Sequence, residues 1–339
     1  MATYSLIIPM YNGEKYIANA LGSLLPSASF LTEVILVDDR STDDGVKVAH
    51  TFDNLLPMRY FVTDESMDRG PGNARQLGLD NACGEWIGFM DADDLLAPDA
   101  LRHVDNAVSQ CEDAQMFIGN FIERDPLTGR RGAIHQEDPT WVHGKWYLKK
   151  MLDEYDIRFL PNLYTHEDIY FNALVFDRLR ADEKNFYILD ELIYYWNQNP
   201  NSMTSSERYT LTNLNDYLIS VIESHLTILT DVEKPSEELV DAVKEICLSQ
   251  YVQGYFYYQA FIYKYGSQDE ECKRGYESLK AFYKKLTDIF HLTRDEFLDI
   301  LFKKSKDFCN QRNGAMKTFG PFIEVDSLPS FIYQIAAFV

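Results

Sequence analysis

From Tyr4 to Phe121, short apolar runs alternate with segments of helical spacing, and this alternation constrains the fold more than any other feature of the chain. Tyr4–Ile8, Glu33–Val37, Met58–Val62, Glu85–Met90 and Ala114–Phe121 have the length and content of buried strands. Between the first two, Glu14–Leu25 sets Tyr16, Ile17, Ala20, Leu21 and Leu24 at helical intervals. Ser41 and Asp44 fit a capping box, which predicts a helix from there to about Phe52. Pro71–Ala82 carries proline in its first turn, where the missing N–H is no loss, and Pro98–Cys111 continues the series. Strands and helices alternating at these lengths imply parallel βαβ units and an α/β sheet. After about Ser206 the helical period takes over, in Leu239–Tyr263, Tyr276–Phe290 and Asp295–Phe308. We therefore expect an α/β domain over residues 1–210, with a mostly parallel central sheet, and an all-helical module over 211–339.

The net charge of −21 disfavours non-specific nucleic-acid binding, because an acidic surface repels phosphate backbones. The charge is uneven: residues 273–317 hold 11 Lys/Arg against 6 Asp/Glu. That tract is either a solvated helix face or a surface for anionic lipid or an anionic acceptor. The 5 cysteines form no C-x-x-C and read as reduced thiols. No basic n-region precedes Met1–Pro9, so the expected location is cytoplasmic, with the inner face of the membrane as an option. The uncharged stretch Ile246–Tyr263 contains glutamines and tyrosines that hydrocarbon would penalise, so it reads as a buried or interface helix. Its Tyr251, Tyr255, Tyr258 and Phe261–Ile262 form either core or a homodimer face. The apolar Ser327–Val339 is too short to span a bilayer, but long enough to pack on the module, join subunits or touch a membrane surface.

In open parallel sheets, ligands bind beyond the carboxyl ends of the strands. Here those ends read Pro9-Met-Tyr-Asn-Gly13, Asp38-Asp-Arg-Ser-Thr-Asp-Asp44, Asp68-Arg-Gly-Pro-Gly-Asn-Ala-Arg75 and Asp91-Ala-Asp-Asp94. They bring carboxylates, an arginine and an aromatic ring to one edge. Two carboxylates spaced as in Asp91-Ala-Asp93 can face one hard cation such as Mg²⁺ or Mn²⁺, although acidic turns without metal are common.

In order and spacing, Leu6-Ile-Ile-Pro-Met-Tyr-Asn12, Val37-Asp-Asp-Arg-Ser-Thr-Asp43, Gly70-Pro-Gly-Asn-Ala-Arg75 and Gly84-Glu-Trp-Ile-Gly-Phe-Met-Asp-Ala-Asp-Asp94, with Pro98, resemble the family 2 glycosyltransferases of the GT-A fold. His166-Glu-Asp-Ile-Tyr-Phe171 is similar to that family's ED motif. The resemblance covers about residues 3–205. It implies a nucleotide-sugar-binding α/β domain that transfers a sugar, with inversion, from a nucleoside diphosphate (UDP is the first expectation) to an acceptor hydroxyl. It further implies that Pro9, Tyr11 and Asn12 line the base, that Asp39 bonds the base edge, and that Arg75 and Asp68 lie on the nucleotide side. Asp91 and Ala92 would sit by the ribose, Asp93 with Asp91 would hold Mn²⁺ or Mg²⁺, and Asp168 would be the general base, with Glu167 sharing or replacing that role. The chemistry suits those residue types. Tyr11 offers a stacking face, Asp39 is an acceptor-only group facing a base N–H, and a cation offsets charge on the leaving diphosphate. A carboxylate takes the proton of the attacking hydroxyl.

Plainer readings stand beside these. Asp38 and Asp39 could cap a turn, Arg75 could pair with a neighbouring acid, and Thr165-x-x-Asp168 also satisfies a capping box. The sequence departs from the family at Arg40, where glycine is common, at Asp68 for asparagine, at Gln76 for asparagine, and at Asn197 and Asn199, where arginines are frequent. Two other functions compete. A sugar nucleotidyltransferase would need a glycine- and lysine-rich loop after the first strand, and Pro9–Lys15 has a single glycine. A non-catalytic nucleotide-sugar-binding module would have no need of Asp93 or Asp168. The acceptor is left open among glycan, wall polymer, lipid-linked sugar, protein and modified nucleobase. Arg124, Arg130, Arg131, Lys145, Lys149, Lys150 and Arg158, with Trp141 and Trp146, suit either an acidic sugar acceptor or ordinary packing. His143 and His166 are metal-shell or acceptor candidates.

Overall fold

The computed structural model describes residues 2–66, 69–125, 127–138, 140–161, 167–181, 185–199, 222, 225–226, 229–230, 234–266 and 268–311. The chain divides into two compact units, Met1–Ser206 and Glu207–Val339. In chain order the first unit contains β1 (Tyr4–Met10), α1 (Ile17–Leu24), β2 (Leu31–Asp38), α2 (Gly45–Ala49), β3 (Met58–Val62), α3 (Pro71–Asn81), β4 (Trp86–Phe89) and β5 (Leu95–Leu96). It continues through α4 (Ala100–Gln110), β6 (Ala114–Arg124), β7 (Arg131–His135), β8 (Lys145–Leu148), α5 (Lys149–Glu154), α6 (Glu167–Ala181) and β9 (Asn185–Asn197).

All of these strands join one sheet, ordered β3-β2-β1-β4-β8-β6-β9-β5, with β7 on the side of β6. Strands β3, β2, β1, β4, β6 and β9 share a direction, and β8, β5 and β7 run against it. The continuous apolar runs of β1 and β2 follow from burial on both faces. Leu6, Ile8, Val34 and Leu36 enter one core with Leu21 and Phe117, while Ile7, Ile35 and Val37 enter the other with Phe89 and Phe171. Helix α3 lies so close to β1 that a Cβ on Gly78 would come within 2.4 Å of Ile7 Cγ2. Pro9 is tolerated in this central strand because β4 pairs with β1 only as far as Ile7. Ile7 faces β4 through the bond its carbonyl accepts from the Met90 N–H, so Pro9, two residues on, lacks its N–H on a side with no ladder left to fill.

Two expectations require correction. Helix α2 begins at Gly45 with no side-chain cap from Asp44. The Ser41 hydroxyl accepts the Asn12 N–H instead, and Asp43 accepts the N–H of Gly45, so the capping box does not form. The helix is also short, passing into a 3₁₀ turn at His50–Phe52. The sheet also carries strands beyond the five expected, and antiparallel β8 separates β4 from β6.

In the second unit α7 (Glu237–Tyr265), α8 (Glu270–Ile289) and α9 (Arg294–Gln311) pack through aromatic contacts such as Tyr251 on Phe297 and Tyr283 on Phe297, at 5.4 and 4.8 Å. Leu239, Val243, Cys247, Tyr251 and Tyr258 of α7 are buried, so the described part of its aromatic stripe is core. The side chains of Tyr255, Phe261 and Ile262 lie outside the described residues, as does Ser327–Val339. No described helix is long and apolar enough to cross a membrane.

Candidate active site

The strand ends meet along one edge, and on its β1–β3 side the geometry is set by turns. Tyr11 follows β1 and is 50% exposed. Asn12 adopts φ 52°, a left-handed conformation that asparagine tolerates. Its N–H donates to the Ser41 hydroxyl and its side-chain carbonyl accepts the Thr42 N–H, both at 2.8 Å. Asp38 accepts the Ser41 N–H, and the Asp39 N–H donates to the Met10 carbonyl at 2.7 Å. The buried Asp39 carboxylate accepts from the Thr63 hydroxyl and, at 2.9 Å, from the Gly70 N–H. Arg40 stands at φ 62°, which explains why glycine suits that position elsewhere in such turns. Gln76, another departure, accepts the Phe159 N–H at 2.8 Å.

On the β4 side charge sets the arrangement. Arg75 is buried, and its guanidinium donates to Asp91 Oδ1 at 2.5 Å and to Glu167 Oε1. It thereby joins the end of β4 to the first residue of α6. The Asp91 N–H donates to the Tyr194 hydroxyl, which donates in turn to Asp94 Oδ2 at 2.6 Å. The Asn197 N–H donates to Asp94 Oδ1, its side-chain amide donates to the Asp93 carbonyl, and Asn199 donates to Asp93 Oδ2 at 3.0 Å. The two asparagines that replace arginines are thus amide clamps on the acidic turn. His143 stacks on Tyr194 at 4.8 Å, with Nε2 3.6 Å from Asp91 Oδ2 and 3.9 Å from Asp94 Oδ2.

Burial works against the Asp91 carboxylate, but the Arg75 charge and then His143 outweigh it and hold its pKa below the usual range. Burial and the charge of Asp91 push Asp93 up. Burial, then Asp93 and Asp91, push Asp94 well up. Burial pushes Glu167 up to about 7; Arg75 opposes that shift and Asp168 reinforces it. Burial pulls Lys145 down to about 8 against the charges of Asp138 and Asp168. Ligand atoms of Asp91, Asp94 and His143 lie within 4.8 Å of one another. The buried His143 Nδ1 has no hydrogen-bond partner among the described residues. Crowded carboxylates that raise one another's pKa, beside an imidazole, fit a divalent cation, which would relieve that repulsion.

The structure therefore brings Asp91, Asp93, Arg75 and Glu167 together and keeps Tyr11, Asn12 and Asp39 in a neighbouring turn system. Pro9 is buried in β1, and Ala92 packs against the core. Asp168 is half-buried next to Glu167, while Asp68, Thr165 and His166 lie outside the described residues. Sequence reasoning gave no role to Asp94 or Tyr194. The third carboxylate of Asp91-Ala-Asp-Asp94 was the available signal for the first, and nothing local marks the second. Of the two tryptophans expected on the acceptor side, Trp146 is core, packed on Tyr4 at 5.7 Å, whereas Trp141 is partly exposed and lies 5.2 Å from Trp196. Lys149 and Arg158 are committed to Asp153, and Lys145 is buried.

A sheet of this order, with an acidic turn after β4 tied to a carboxylate pair opening α6, defines a GT-A glycosyltransferase architecture. A family model described as glycosyl transferase family 2 matches residues 5–177, and the chain belongs to that family. It is 28% identical over 215 residues to the poly(ribitol-phosphate) β-N-acetylglucosaminyltransferase TarS of Staphylococcus aureus, covering 58% of this chain and 35% of that protein. It is 26% identical over 247 residues to the minor teichoic acid biosynthesis protein GgaA of Bacillus subtilis, covering 67% and 54% respectively. The chain thus spans about a third to a half of the length of these curated relatives. The crystal structure of S. aureus TarS 1–349 in complex with UDP-GlcNAc superposes with a TM-score of 0.63 at 19% identity, over 91% of this chain and 92% of that one.

Proposed function

We propose that the chain transfers a sugar, with inversion, from a nucleoside-diphosphate sugar to an acceptor hydroxyl. The observation that carries this reading is Arg75, whose one guanidinium bonds both Asp91 and Glu167. Donor-side carboxylates and the acid pair at the start of α6 therefore belong to one constellation, as a direct displacement requires. Tyr11 stacks the base, and the turn built by Asn12, Asp39 and Ser41 holds that ring in place. Asp93 and Asp91, together with Asp94 and His143, would hold Mn²⁺ or Mg²⁺, which when bound offsets charge on the departing diphosphate. Arg75 keeps Asp91 ionised for that task. Asp168 accepts the proton of the attacking hydroxyl, and Glu167, anchored by Arg75, fixes the start of the helix that presents it. UDP is the favoured nucleotide, in line with the ligand named for the TarS crystal structure. A hydroxyl on a wall polymer is the favoured acceptor, because the names of the two relatives refer to poly(ribitol phosphate) and to teichoic acid. The setting would be cytoplasmic, at or near the inner face of the membrane.

A panel of nucleotide sugars, read by thermal shift and by slow hydrolysis with Mn²⁺, tests the reading. One donor should stabilise the protein and be hydrolysed; no response from any would refute it. Asp93→Ala should abolish the metal-dependent part of UDP binding in calorimetry, and affinity unchanged with and without chelator would sink the metal assignment.

A further inference from the structure

Among the described residues of the two turn systems, most cations are already bonded and two positions that could carry one are neutral. Asn197 and Asn199 are neutral and clamp Asp93, while Arg75 is buried between two carboxylates. Arg40 is bound to Asp39 and to the Glu65 carbonyl. Arg69 is different. It is exposed, and among the described residues no carboxylate lies within ion-pair distance of it, in a chain of net charge −21. Its guanidinium carbon instead lies 4.9 Å from the centroid of the Tyr11 ring, with Nη1 donating to the Tyr11 hydroxyl at 3.0 Å and Nη2 to the Arg40 carbonyl at 3.4 Å.

We propose that Arg69 is the mobile cation of the donor site, parked on the Tyr11 ring and transferred to the donor's diphosphate as the base takes its place on that ring. The proposal rests on the reading of Tyr11 as the base platform. A base stacked on the face that the guanidinium covers would displace it. A cation–π contact at an exposed site is weak enough to exchange, whereas hydrogen bonds from a guanidinium to a phosphate are among the strong ones.

Calorimetry with uridine and with UDP, each in the presence of Mn²⁺, tests this on the full chain. Uridine needs the ring but not the cation; UDP needs both. In Arg69→Ala the UDP affinity should fall about tenfold while that of uridine holds or rises, so that the ratio of the two drops. Arg69→Lys should restore part of the ratio, and raising the salt should shrink the difference between wild type and Arg69→Ala. A parallel fall for both ligands would show that Arg69 only props the Tyr11 ring, and an unchanged ratio would show that it does not meet the phosphates; either overturns the proposal. Wild-type protein that binds neither ligand overturns the donor-site reading itself, which separates the two failures.

Discussion

The turn system around Tyr11 and the acidic turn around Asp91 share an edge and are held by different forces. In the first, neutral groups do most of the holding: the Asn12 and Thr42 N–H groups are bonded within the turns, and the buried carboxylate of Asp39 accepts from the Gly70 N–H and the Thr63 hydroxyl, with Arg40 3.5 Å away. In the second, Asp91 and Glu167 are balanced by a single guanidinium, with Asp93 and Asp94 beside them. A site held by turns keeps its shape when one side chain changes. A site held by charge balance responds to every proton, cation or substitution that reaches it, which is what the proposed transfer, with a charged donor and a charged product, would require.

That contrast is tested most severely at its reactive end. Asp168→Asn keeps the size of the side chain but cannot take a proton, so transfer should fall about 10²–10⁴-fold while UDP affinity hardly moves. A rate within a few-fold of wild type would reduce Asp168 to a helix start and make Glu167 the next residue to replace. Arg75→Met removes the shared counter-charge and leaves two carboxylates uncompensated. Denaturant titration should show a loss of about 3–5 kcal/mol, and a loss below 1 kcal/mol would mean that the acids do not depend on Arg75.

A smaller effect appears in pH. The folded pKa of Glu167, about 7, lies above its ordinary value of 4.5, so the native state holds that proton more tightly than the unfolded chain. The stabilisation it contributes is complete below about 4.5 and is lost as the pH rises through about 7. Thermal midpoints at pH 5 and pH 8 should therefore differ in wild type and differ less in Glu167→Gln. At the quiet end of the comparison, Arg40→Gly relieves a left-handed φ of 62° and gives up two long bonds, to the Asp39 carboxylate at 3.5 Å and the Glu65 carbonyl at 3.4 Å. Urea unfolding should show a change of no more than about 1 kcal/mol, where a large loss would mean that the base-side turn also depends on charge.

What the sequence disclosed follows the same division. Strands β1–β4 and the helices between them are legible because buried parallel strands and amphipathic crossovers leave strong periodic signals. The acidic turn was legible because its residues are consecutive. Strand β8 was not: its short run Lys145–Leu148 opens on a lysine, buried beside the carbonyl of Trp141. The start of α2 was misplaced because Ser41 serves a partner 29 positions away rather than its own helix. The absence of arginine at Asn197 and Asn199 was visible, but their grip on Asp93 depends on a register that only the assembled sheet supplies. Tyr194 is recognisable as a tyrosine of the right kind only once β9 lies next to the turn.

Tyr194 and Asn197 of β9, with Asn199 two residues past its end, between them hold Asp91, Asp93 and Asp94. Residues about a hundred positions apart in the chain thus share one set of bonds. In the language of native-state hydrogen exchange, the amides of Asp91 and Asn197 should open together, as one cooperative unit with one free energy. Peeling the end of β9 would dismantle the acidic turn at the same moment, so the centre exists whole or not at all.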